Sequence, residues 1–237
     1  MPNPILLHFN PMLIRGQLLR RYKRFLADVQ LDDQTEVTAH CPDPGSMKTI
    51  ALAGRPVALS RSEKPTRKLP YTWEMIEIAG TWVGIHTNRT NDLIDTALQL
   101  GALPELADYT TIQREVPAGN SRIDFLLTNA AGETCYVEVK TVTLRDGTTA
   151  KFPDSVTTRG HKHLEELMSL HSAGHRAVAL FCINRADCDL FAPADDIDPR
   201  YGMLLRQAQE AGVEVLAYRT HWSPQQVRLD GSIDTVL

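Results

Sequence analysis

The spacing of apolar residues divides the chain into two parts that meet near Asn88. In the first part, short apolar runs alternate with clusters of Pro, Gly and Asp, a pattern typical of strands joined by tight turns. The pattern predicts five strands, at residues 21–30, 36–41, 56–60, 69–78 and 81–87. No long helix is predicted here, and five short strands in so short a segment favour a small β-barrel.

The second part alternates between helical and strand patterns. Apolar residues recur at helical spacing over 91–103 and 157–172. The strands predicted between these helices are 110–116, 122–128 and 134–144. Arg176–Ile183 is a continuous apolar run, which is typical of a buried central strand. A helix near 201–211 and a strand at 213–218 complete the order α-β-β-β-α-β-α-β. We therefore predict an α+β protein with a barrel over residues 1–87 and an α/β domain over 88–237.

Two neighbouring strands of the second part carry charged residues within apolar runs. Asp124 lies in the first strand, and Glu138 and Lys140 lie in the second. A hairpin symmetric about Ala131 places Asp124 directly opposite Glu138, with Cβ atoms about 5 Å apart. Since side chains alternate between the faces of a strand, one face is predicted to be polar and the other apolar. The polar face carries Arg122, Asp124, Tyr136, Glu138 and Lys140, and the apolar face carries Ile123, Phe125, Leu127, Val137 and Val139.

Two opposed carboxylates repel each other, and a divalent cation removes that repulsion. Mg²⁺ is commonly held by one or two carboxylates, with water and substrate phosphate as further ligands. Lys140 could orient or deprotonate a water, or neutralise charge on a phosphate. This D-x(n)-E-x-K arrangement is that of the restriction-endonuclease-like phosphodiesterases and predicts a site for Mg²⁺ or Mn²⁺. A surface hairpin with an ion pair from Lys140 to Glu138 or Asp124 remains the alternative.

Two further acids lie near this hairpin in the sequence. Asp95 is on the preceding helix, where a fourth metal ligand is one interpretation and a favourable interaction with the helix dipole is the other. Glu115 is predicted to form an ion pair with Arg122 across the turn at Pro117, a structural role that we favour over metal binding.

The second predicted helix begins with a basic segment. Arg159, His161, Lys162 and His163 could contact a phosphate or the attacking water. A solvent-exposed helix start is the simpler explanation of either histidine alone.

The charge is unevenly distributed along the chain. The net charge is −4, but residues 1–90 hold 12 Lys/Arg against 8 Asp/Glu, whereas residues 91–237 hold 13 against 21. Cations that track phosphates, together with aromatic rings on which bases stack, are what a nucleic-acid-binding barrel requires. The candidate DNA-binding residues are Arg20, Arg21, Lys23, Arg24, Arg61, Lys64, Arg67, Lys68, Tyr71 and Trp73.

Composition excludes several classes of protein. With 43% hydrophobic and 23% charged residues, the 237-residue chain is neither disordered nor fibrous. It has no apolar run long enough for a membrane span, and its first residues lack the basic region of a signal peptide. Its four cysteines form no CxxC pair and indicate a reduced, cytoplasmic protein. The sequence contains no phosphate-binding glycine motif, so no nucleotide cofactor is predicted.

Several longer motifs resemble the sugar fermentation stimulation protein A family of prokaryotes. They run in order from about Leu19 to Tyr218 and are RYKRFLADV, HCP, GSM, TWE, SRIDF, YVEVK, FPD and RGHKHL. The resemblance implies an N-terminal OB-type barrel, a restriction-endonuclease-like domain, DNA binding without sequence preference, and a regulatory link to maltose metabolism. It also implies nuclease-like roles for Asp124, Glu138, Lys140 and Asp95, although the family commonly has Glu at the last position and Gln at that of His161.

These observations lead to a function hypothesis with one alternative. The chain is predicted to bind DNA without sequence preference, through a nuclease-like domain that performs Mg²⁺-dependent phosphodiester hydrolysis. The alternative is a non-catalytic DNA-binding regulator of sugar metabolism. A complete set of Asp124, Glu138 and Lys140 favours hydrolysis, because a fold used for binding alone has no evident need for all three.

Overall fold

The computed structural model describes residues 3–119 and 121–237 and contains two β-rich units. The strands up to residue 84 are β1 (Ile5–His8), β2 (Ile14–Tyr22), β3 (Leu26–Leu31), β4 (Glu36–His40), β5 (Pro56–Arg61), β6 (Tyr71–Ile78) and β7 (Thr81–Gly84). The next elements are α1 (Thr87–Gln99), a 3₁₀ turn (Pro104–Leu106), β8 (Tyr109–Ala118), β9 (Ser121–Asn129), β10 (Thr134–Val142), β11 (Leu144–Asp146) and β12 (Thr149–Phe152). The remainder are α2 (Thr158–Ser172), β13 (Arg176–Ile183), β14 (Leu190–Pro193), α3 (Pro199–Glu210), β15 (Glu214–Trp222), β16 (Gln226–Ser232) and β17 (Asp234–Thr235).

The first unit is the predicted barrel. Its strands are ordered β4-β3-β2-β5-β6-β7, and a parallel pairing of β4 with β6 closes the five strands β2 to β6. Fully buried apolar side chains fill the interior, among them Leu18, Val29, Val57, Leu59 and Trp73. Burying this inward face is the main favourable contribution to folding of the unit.

The predicted strand at 21–30 is wrong, because the chain reverses at Lys23–Phe25. Lys23 and Arg24 have φ angles of +48° and +64°, in the left-handed region, and β2 and β3 run antiparallel on either side of them. No Gly, Pro or Asn lies at this turn, so no sequence signal predicted it. The predicted hairpin around Ala79-Gly80 is confirmed, and both of its turn residues also have positive φ.

A seven-stranded sheet forms the centre of the second unit. Its order is β1-β16-β15-β13-β10-β9-β8, with β10, β13 and β15 parallel. The predicted central strand β13 is confirmed, since its residues after Arg176 are all buried. Helix α1 packs on one face, while α2 and α3 pack on the other. Helix α1 begins at Thr87, four residues before the predicted start, and α2 begins one residue after its capping residue Thr157.

The predicted boundary at residue 87 misplaces the first strand. β1 pairs antiparallel with β16 at the edge of the seven-stranded sheet, with Leu7 opposite Val227. Leu6 and Phe9 are buried in the core of the second unit, where the Phe9 ring lies 6.5 Å from that of Trp222. The apolar N-terminal residues therefore belong to the α/β unit, and the chain enters the barrel only afterwards.

Several short strands were not predicted. β11, β12, β14 and β17 form a separate four-stranded sheet, and β16 extends the large sheet beyond the last predicted strand. Most of them are too short for a strand pattern to be distinguished from a loop. No helix in the described part of the chain is long and apolar enough to cross a membrane.

The two units are joined by polar contacts as well as apolar ones. Glu74 of β6 is fully buried and accepts hydrogen bonds from Ser60 (2.6 Å) and from Arg89 of α1 (3.2 and 3.3 Å). Asn184, which follows β13, donates to the Gly84 carbonyl oxygen at 3.3 Å. A buried carboxylate and a buried amide that are satisfied across the junction hold it in a defined arrangement.

Candidate active site

The hairpin of β9 and β10 brings the predicted acids together. Its register is the predicted one, with Thr128 opposite Thr134 and Phe125 opposite Val137. Regular strand pairing stops there, because the Asp124 carboxylate replaces a main-chain acceptor. Its Oδ2 accepts the main-chain N–H of Val139 at 2.8 Å, next to Glu138.

The face assignment is correct except at Ile123. Phe125, Leu127, Val137 and Val139 pack in the core beside α1, as predicted, but Ile123 packs in the core beside α2. The alternation therefore breaks at Asp124, where the strand pairing also stops.

Helix α1 contributes an amide to this site. Asn91 donates from Nδ2 to Asp124 Oδ1 at 2.8 Å, so both oxygens of Asp124 have a donor. Asp95, one turn later, is directed to Arg114 (3.3 Å) and also accepts from Gln99. The helix residue that contacts the carboxylate pair is Asn91, which sequence reasoning missed because an amide carries no charge signal.

Glu138 is the most enclosed member of the site. Its side chain is 4% exposed, and its Oε1 contacts both Lys140 Nζ, at 2.5 Å, and His163 Nδ1. Its Oε2 is buried and has no hydrogen-bond partner among the described residues. A buried carboxylate oxygen without a donor is costly, so this atom is available to a ligand that the chain does not itself supply.

The environments of the two carboxylates move their pKa values in opposite directions. Burial, followed by the charge of Glu138, raises the pKa of Asp124 despite its hydrogen bonds from Val139 and Asn91. Burial also acts to raise the pKa of Glu138, but contacts with Lys140 and His163 outweigh it, and that pKa is lowered. Glu138 therefore remains ionised, and its charge makes ionisation of Asp124 harder.

The predicted solvent exposure of the two histidines is wrong. His161 is 6% exposed and its Nε2 lies 2.9 Å from both carboxylate oxygens of Asp198, the residue that caps α3. His163 is 4% exposed and contacts Glu138. Helix α2 packs its first turns onto the sheet, so histidines on its inner face become buried. His163, which the sequence placed among the candidate phosphate contacts, lies beside Glu138, and its spacing within α2 was the only available signal of that position.

The other accessory residues lie at the edge of the site. Glu115 and Arg122 form the predicted ion pair, with a nitrogen–oxygen distance of 3.9 Å. Arg159 donates from Nε to His163 Nε2 at 3.2 Å, whereas Lys162 is exposed to solvent.

A second carboxylate pair lies at the junction of the two units. Asp43, in the barrel loop after β4, and Asp154, in the loop after β12, both lie against Gly45, where a Cβ atom would approach oxygens of both within 3 Å. Asp43 accepts the Gly45 N–H at 2.7 Å, and Asp154 accepts from Ser46 Oγ and the Met47 N–H at 3.2 and 3.1 Å. Burial, followed by the charge of Asp154, raises the pKa of Asp43 to about 6, although the Gly45 N–H opposes the shift.

The first basic cluster, at residues 20–24, contains four cations that differ in accessibility. Lys23 and Arg24 are exposed at the β2–β3 turn, and Arg20 is exposed while pairing with Asp28 at 2.8 Å. Arg21 points inward and donates to the main-chain oxygens of Asp43, Gly45 and Ser46 at 2.9 to 3.1 Å. Its guanidinium therefore holds the loop that carries Asp43, which disfavours the predicted role of Arg21 on the binding surface.

The second basic cluster, at residues 61–68, is exposed to solvent, but one of the two aromatic residues that follow it is not. Arg61, Lys64, Arg67 and Lys68 are exposed, and Arg61 lies over the Tyr71 ring at 5.8 Å. Trp73 is fully buried in the barrel core, so its predicted stacking on bases is wrong. Strand β6 lies between the barrel core and the α/β unit, which buries side chains on both of its faces.

Comparison with known proteins gives matches over most of the chain. The family model for the "Sugar fermentation stimulation protein RE domain" matches residues 88–226, and that for the "SfsA N-terminal OB domain" matches residues 19–85. The topology and these matches confirm the predicted fold, an OB-type barrel followed by a restriction-endonuclease-like α/β domain.

Individual relatives match with similar coverage. Sugar fermentation stimulation protein homologues from Geotalea uraniireducens and Gloeobacter violaceus are each 54% identical to this chain, covering 93% and 96% of it and 96% and 97% of their own lengths. The solved structure of Pyrococcus furiosus SfsA in complex with Ca²⁺ superposes with a TM-score of 0.91 at 28% identity, covering 99% of this chain and 100% of that one.

Proposed function

This chain belongs to the sugar fermentation stimulation protein family, and we propose that it binds DNA without sequence preference and hydrolyses phosphodiester bonds with the help of a divalent cation. Asp124, Glu138 and Lys140 carry the reaction in this proposal. The exposed cations of the barrel hold the DNA backbone.

The main support for hydrolysis is the unsatisfied Oε2 atom of Glu138. Two carboxylates are held together in a buried place, yet one of their oxygens has no donor among the described residues. A purely structural hairpin gains nothing from this arrangement, because burial and mutual repulsion both oppose it. A cation bound there removes both costs.

The residues present fit a hard divalent cation. Asp124 and Glu138 supply the oxygen ligands that Mg²⁺ and Mn²⁺ prefer, and water and phosphate commonly complete such sites. The Pyrococcus furiosus relative is described in complex with Ca²⁺, which is also a hard cation. A bound cation of this kind supplies Lewis acidity and lowers the pKa of a water molecule.

In this proposal Lys140 stabilises negative charge on a phosphate. Its Nζ donates a hydrogen bond to Glu138 Oε1 and lies 3.1 Å from His163 Nδ1, which fixes the position of the ammonium group. An ammonium group has three donors, so at least one remains for an oxygen of the scissile phosphate. Lys140 lacks a lone pair while protonated and therefore binds phosphate, not metal.

The exposed basic residues of the barrel are suited to a partner with a regular negative charge. Lys23 and Arg24 project from one hairpin, and Arg61, Lys64 and Lys68 from the β5–β6 segment. Contacts between such side chains and phosphates are independent of base sequence and weaken with salt. This supports DNA binding without sequence preference.

A non-catalytic DNA-binding regulator of sugar metabolism remains the second candidate. One observation favours it: the described residues contain no group of three His, Cys, Asp or Glu side chains arranged to hold a metal ion. Catalysis would therefore depend on a cation held by two carboxylates, with its other ligands coming from main-chain atoms, water or substrate.

One cleavage assay distinguishes the two candidates. Labelled single-stranded and double-stranded DNA are incubated with the purified protein in Mg²⁺, Mn²⁺ or EDTA. Cleavage in either metal, absent in EDTA and in a Glu138→Gln variant, is the expected result. Binding without cleavage under every metal condition would reject hydrolysis and leave the regulator.

A further inference from the structure

A basic groove lies beside the carboxylate site, along the first turns of α2. It has a volume of about 500 Å³, and its lining includes Ser121, Arg122, Thr158, Arg159, Lys162 and His163. His163 is shared, since it lines the groove and also contacts Glu138. The groove and the carboxylate site therefore lie on two sides of the same imidazole ring.

The cations of this groove are poorly neutralised by the protein. None of the described residues that line it is acidic. Arg122 has only the long, exposed pairing with Glu115 at 3.9 Å, and within the described part of the chain Arg159 and Lys162 have no carboxylate partner. Three cations converging in a concave surface favour a polyanionic ligand.

Contacts at both ring nitrogens of His163 link Arg159 to the carboxylate site. A guanidinium group can only donate, so His163 Nε2 accepts from Arg159 Nε at 3.2 Å. His163 Nδ1 lies against Glu138 Oε1 and 3.1 Å from Lys140 Nζ. A continuous chain of polar contacts therefore leads from Arg159 through His163 to Glu138.

We propose that this groove is a second phosphate subsite, which binds a backbone phosphate of the nucleic-acid strand next to the scissile one, and that Arg159 transmits its occupancy to Glu138 through His163. The proposal rests on the proposed function and extends it. One guanidinium edge of Arg159 contacts His163, and its remaining N–H donors suit bidentate phosphate binding. Phosphate binding fixes Arg159, which in turn fixes His163 and the orientation of Glu138.

The first test measures binding under conditions in which no cleavage occurs. The affinity of the full chain for a fluorescent single-stranded oligonucleotide is titrated in EDTA over a range of salt concentrations. Arg159→Gln and Lys162→Gln should each lower the salt slope by about 0.7. Arg200→Gln is the matched control, because Arg200 is an exposed helical arginine that pairs with Glu165 at 3.3 Å. Slopes equal to that of the control in both groove variants would overturn the subsite.

The second test measures the link to Glu138 without using activity. Mn²⁺ affinity is determined by calorimetry, with and without a phosphorothioate oligonucleotide, which keeps the backbone charge but resists hydrolysis. The oligonucleotide should raise Mn²⁺ affinity about fivefold or more in the parent protein. Arg159→Lys retains a cation for the phosphate but not the planar Nε donor, so it should retain the salt slope and lose this increase. An undiminished increase in Arg159→Lys would overturn the role of Arg159 and His163.

These outcomes are separable from failure of the proposed function. A parent protein that cleaves no DNA but loses salt slope in the groove variants retains the phosphate subsite without hydrolysis. A parent protein that cleaves DNA while the groove variants match the control retains hydrolysis without the subsite. Because Arg159 and Lys162 are exposed, the variants are expected to fold.

Discussion

The protein contains two close pairs of carboxylates that differ in what surrounds them. Asp124 and Glu138 have an ammonium group and an imidazole beside them, and Glu138 retains a lowered pKa. Asp43 and Asp154 accept mainly from main-chain N–H groups and hydroxyls, and the pKa of Asp43 rises to about 6. At Glu138 the contacts with Lys140 and His163 outweigh burial, whereas at Asp43 the Gly45 N–H and the charge of Arg21 do not. The first pair is therefore suited to a cation, and the second is sensitive to pH.

The largest expected effect is on catalysis at the first pair. Asp124→Asn should abolish cleavage, because it removes a charged ligand, and Lys140→Met should lower cleavage by about 10² or more, because it removes the cation next to the phosphate. Initial rates on labelled DNA with Mg²⁺ measure both. Asp95→Asn is the control, since Asp95 pairs with Arg114, and parental rates in Lys140→Met would show that the lysine has been wrongly assigned.

The second pair should make folding stability depend on pH. A folded pKa of about 6 for Asp43, above its ordinary value of 3.8, favours folding while the group is protonated, and this contribution is lost as pH rises from about 4 to 6. Asp43→Asn should therefore be more stable than the parent at pH 7 by up to about 3 kcal/mol, and the difference should vanish below about pH 4. Urea denaturation at several pH values measures it.

A control variant tests whether this pH-dependent effect is specific to Asp43. Asp32→Asn changes an exposed carboxylate in the β3–β4 turn and should show no such difference. A constant difference between Asp43→Asn and the parent from pH 4 to 7 would contradict the role given to burial and to Asp154.

Divalent metal should stabilise the fold through the first pair and not through the second. Asp124 and Glu138 are held close only in the folded chain, so Mg²⁺ or Mn²⁺ should stabilise folding by about 2.7 kcal/mol at 100 times its dissociation constant. Glu138→Gln should abolish this response, while Asp43→Asn should preserve it. Thermal unfolding with metal and with EDTA is the measurement, and equal melting temperatures in the parent would count against the cation site.

The smallest expected effect concerns the cations near the second pair. Replacing Arg20, Lys23 and Arg24 together with Gln should lower the salt slope of duplex binding by up to about 2.7, since three phosphate contacts are lost. Arg21→Gln should leave the slope unchanged and instead lower the melting temperature, because Arg21 holds the Asp43 loop. A filter-binding titration distinguishes them, and a slope that also falls for Arg21→Gln would return Arg21 to the interface.

The sequence predicted the parts of this molecule that depend on local pattern. The buried strand β13, the hairpin register and the grouping of Asp124, Glu138 and Lys140 follow from apolar runs and from alternation along strands. The turn at Lys23–Phe25 could not be predicted, because residues without turn propensity adopt positive φ there under tertiary constraint.

Contacts between distant segments were also beyond prediction. Asn91 lies 33 residues before Asp124, and His163 lies 25 residues after Glu138. Only the packing of α1 and α2 on the sheet brings these two residues to the site. Trp73 packs inside the barrel, whereas burial of Met75 on the other side of β6 depends on the α/β unit, and no pattern within β6 reveals that cover.

The pairing of β1 with β16 has a mechanical consequence. The polypeptide passes between the two units twice, once after β1 and once between β7 and α1, so the barrel is tethered at two points. Two covalent tethers restrict relative motion of the units more than one would, and they add to the buried contacts of Glu74 and Asn184 across the junction. An excised barrel cut at residue 87 would carry β1 away with it and leave the β16 edge unpaired, and such an edge is prone to intermolecular strand pairing.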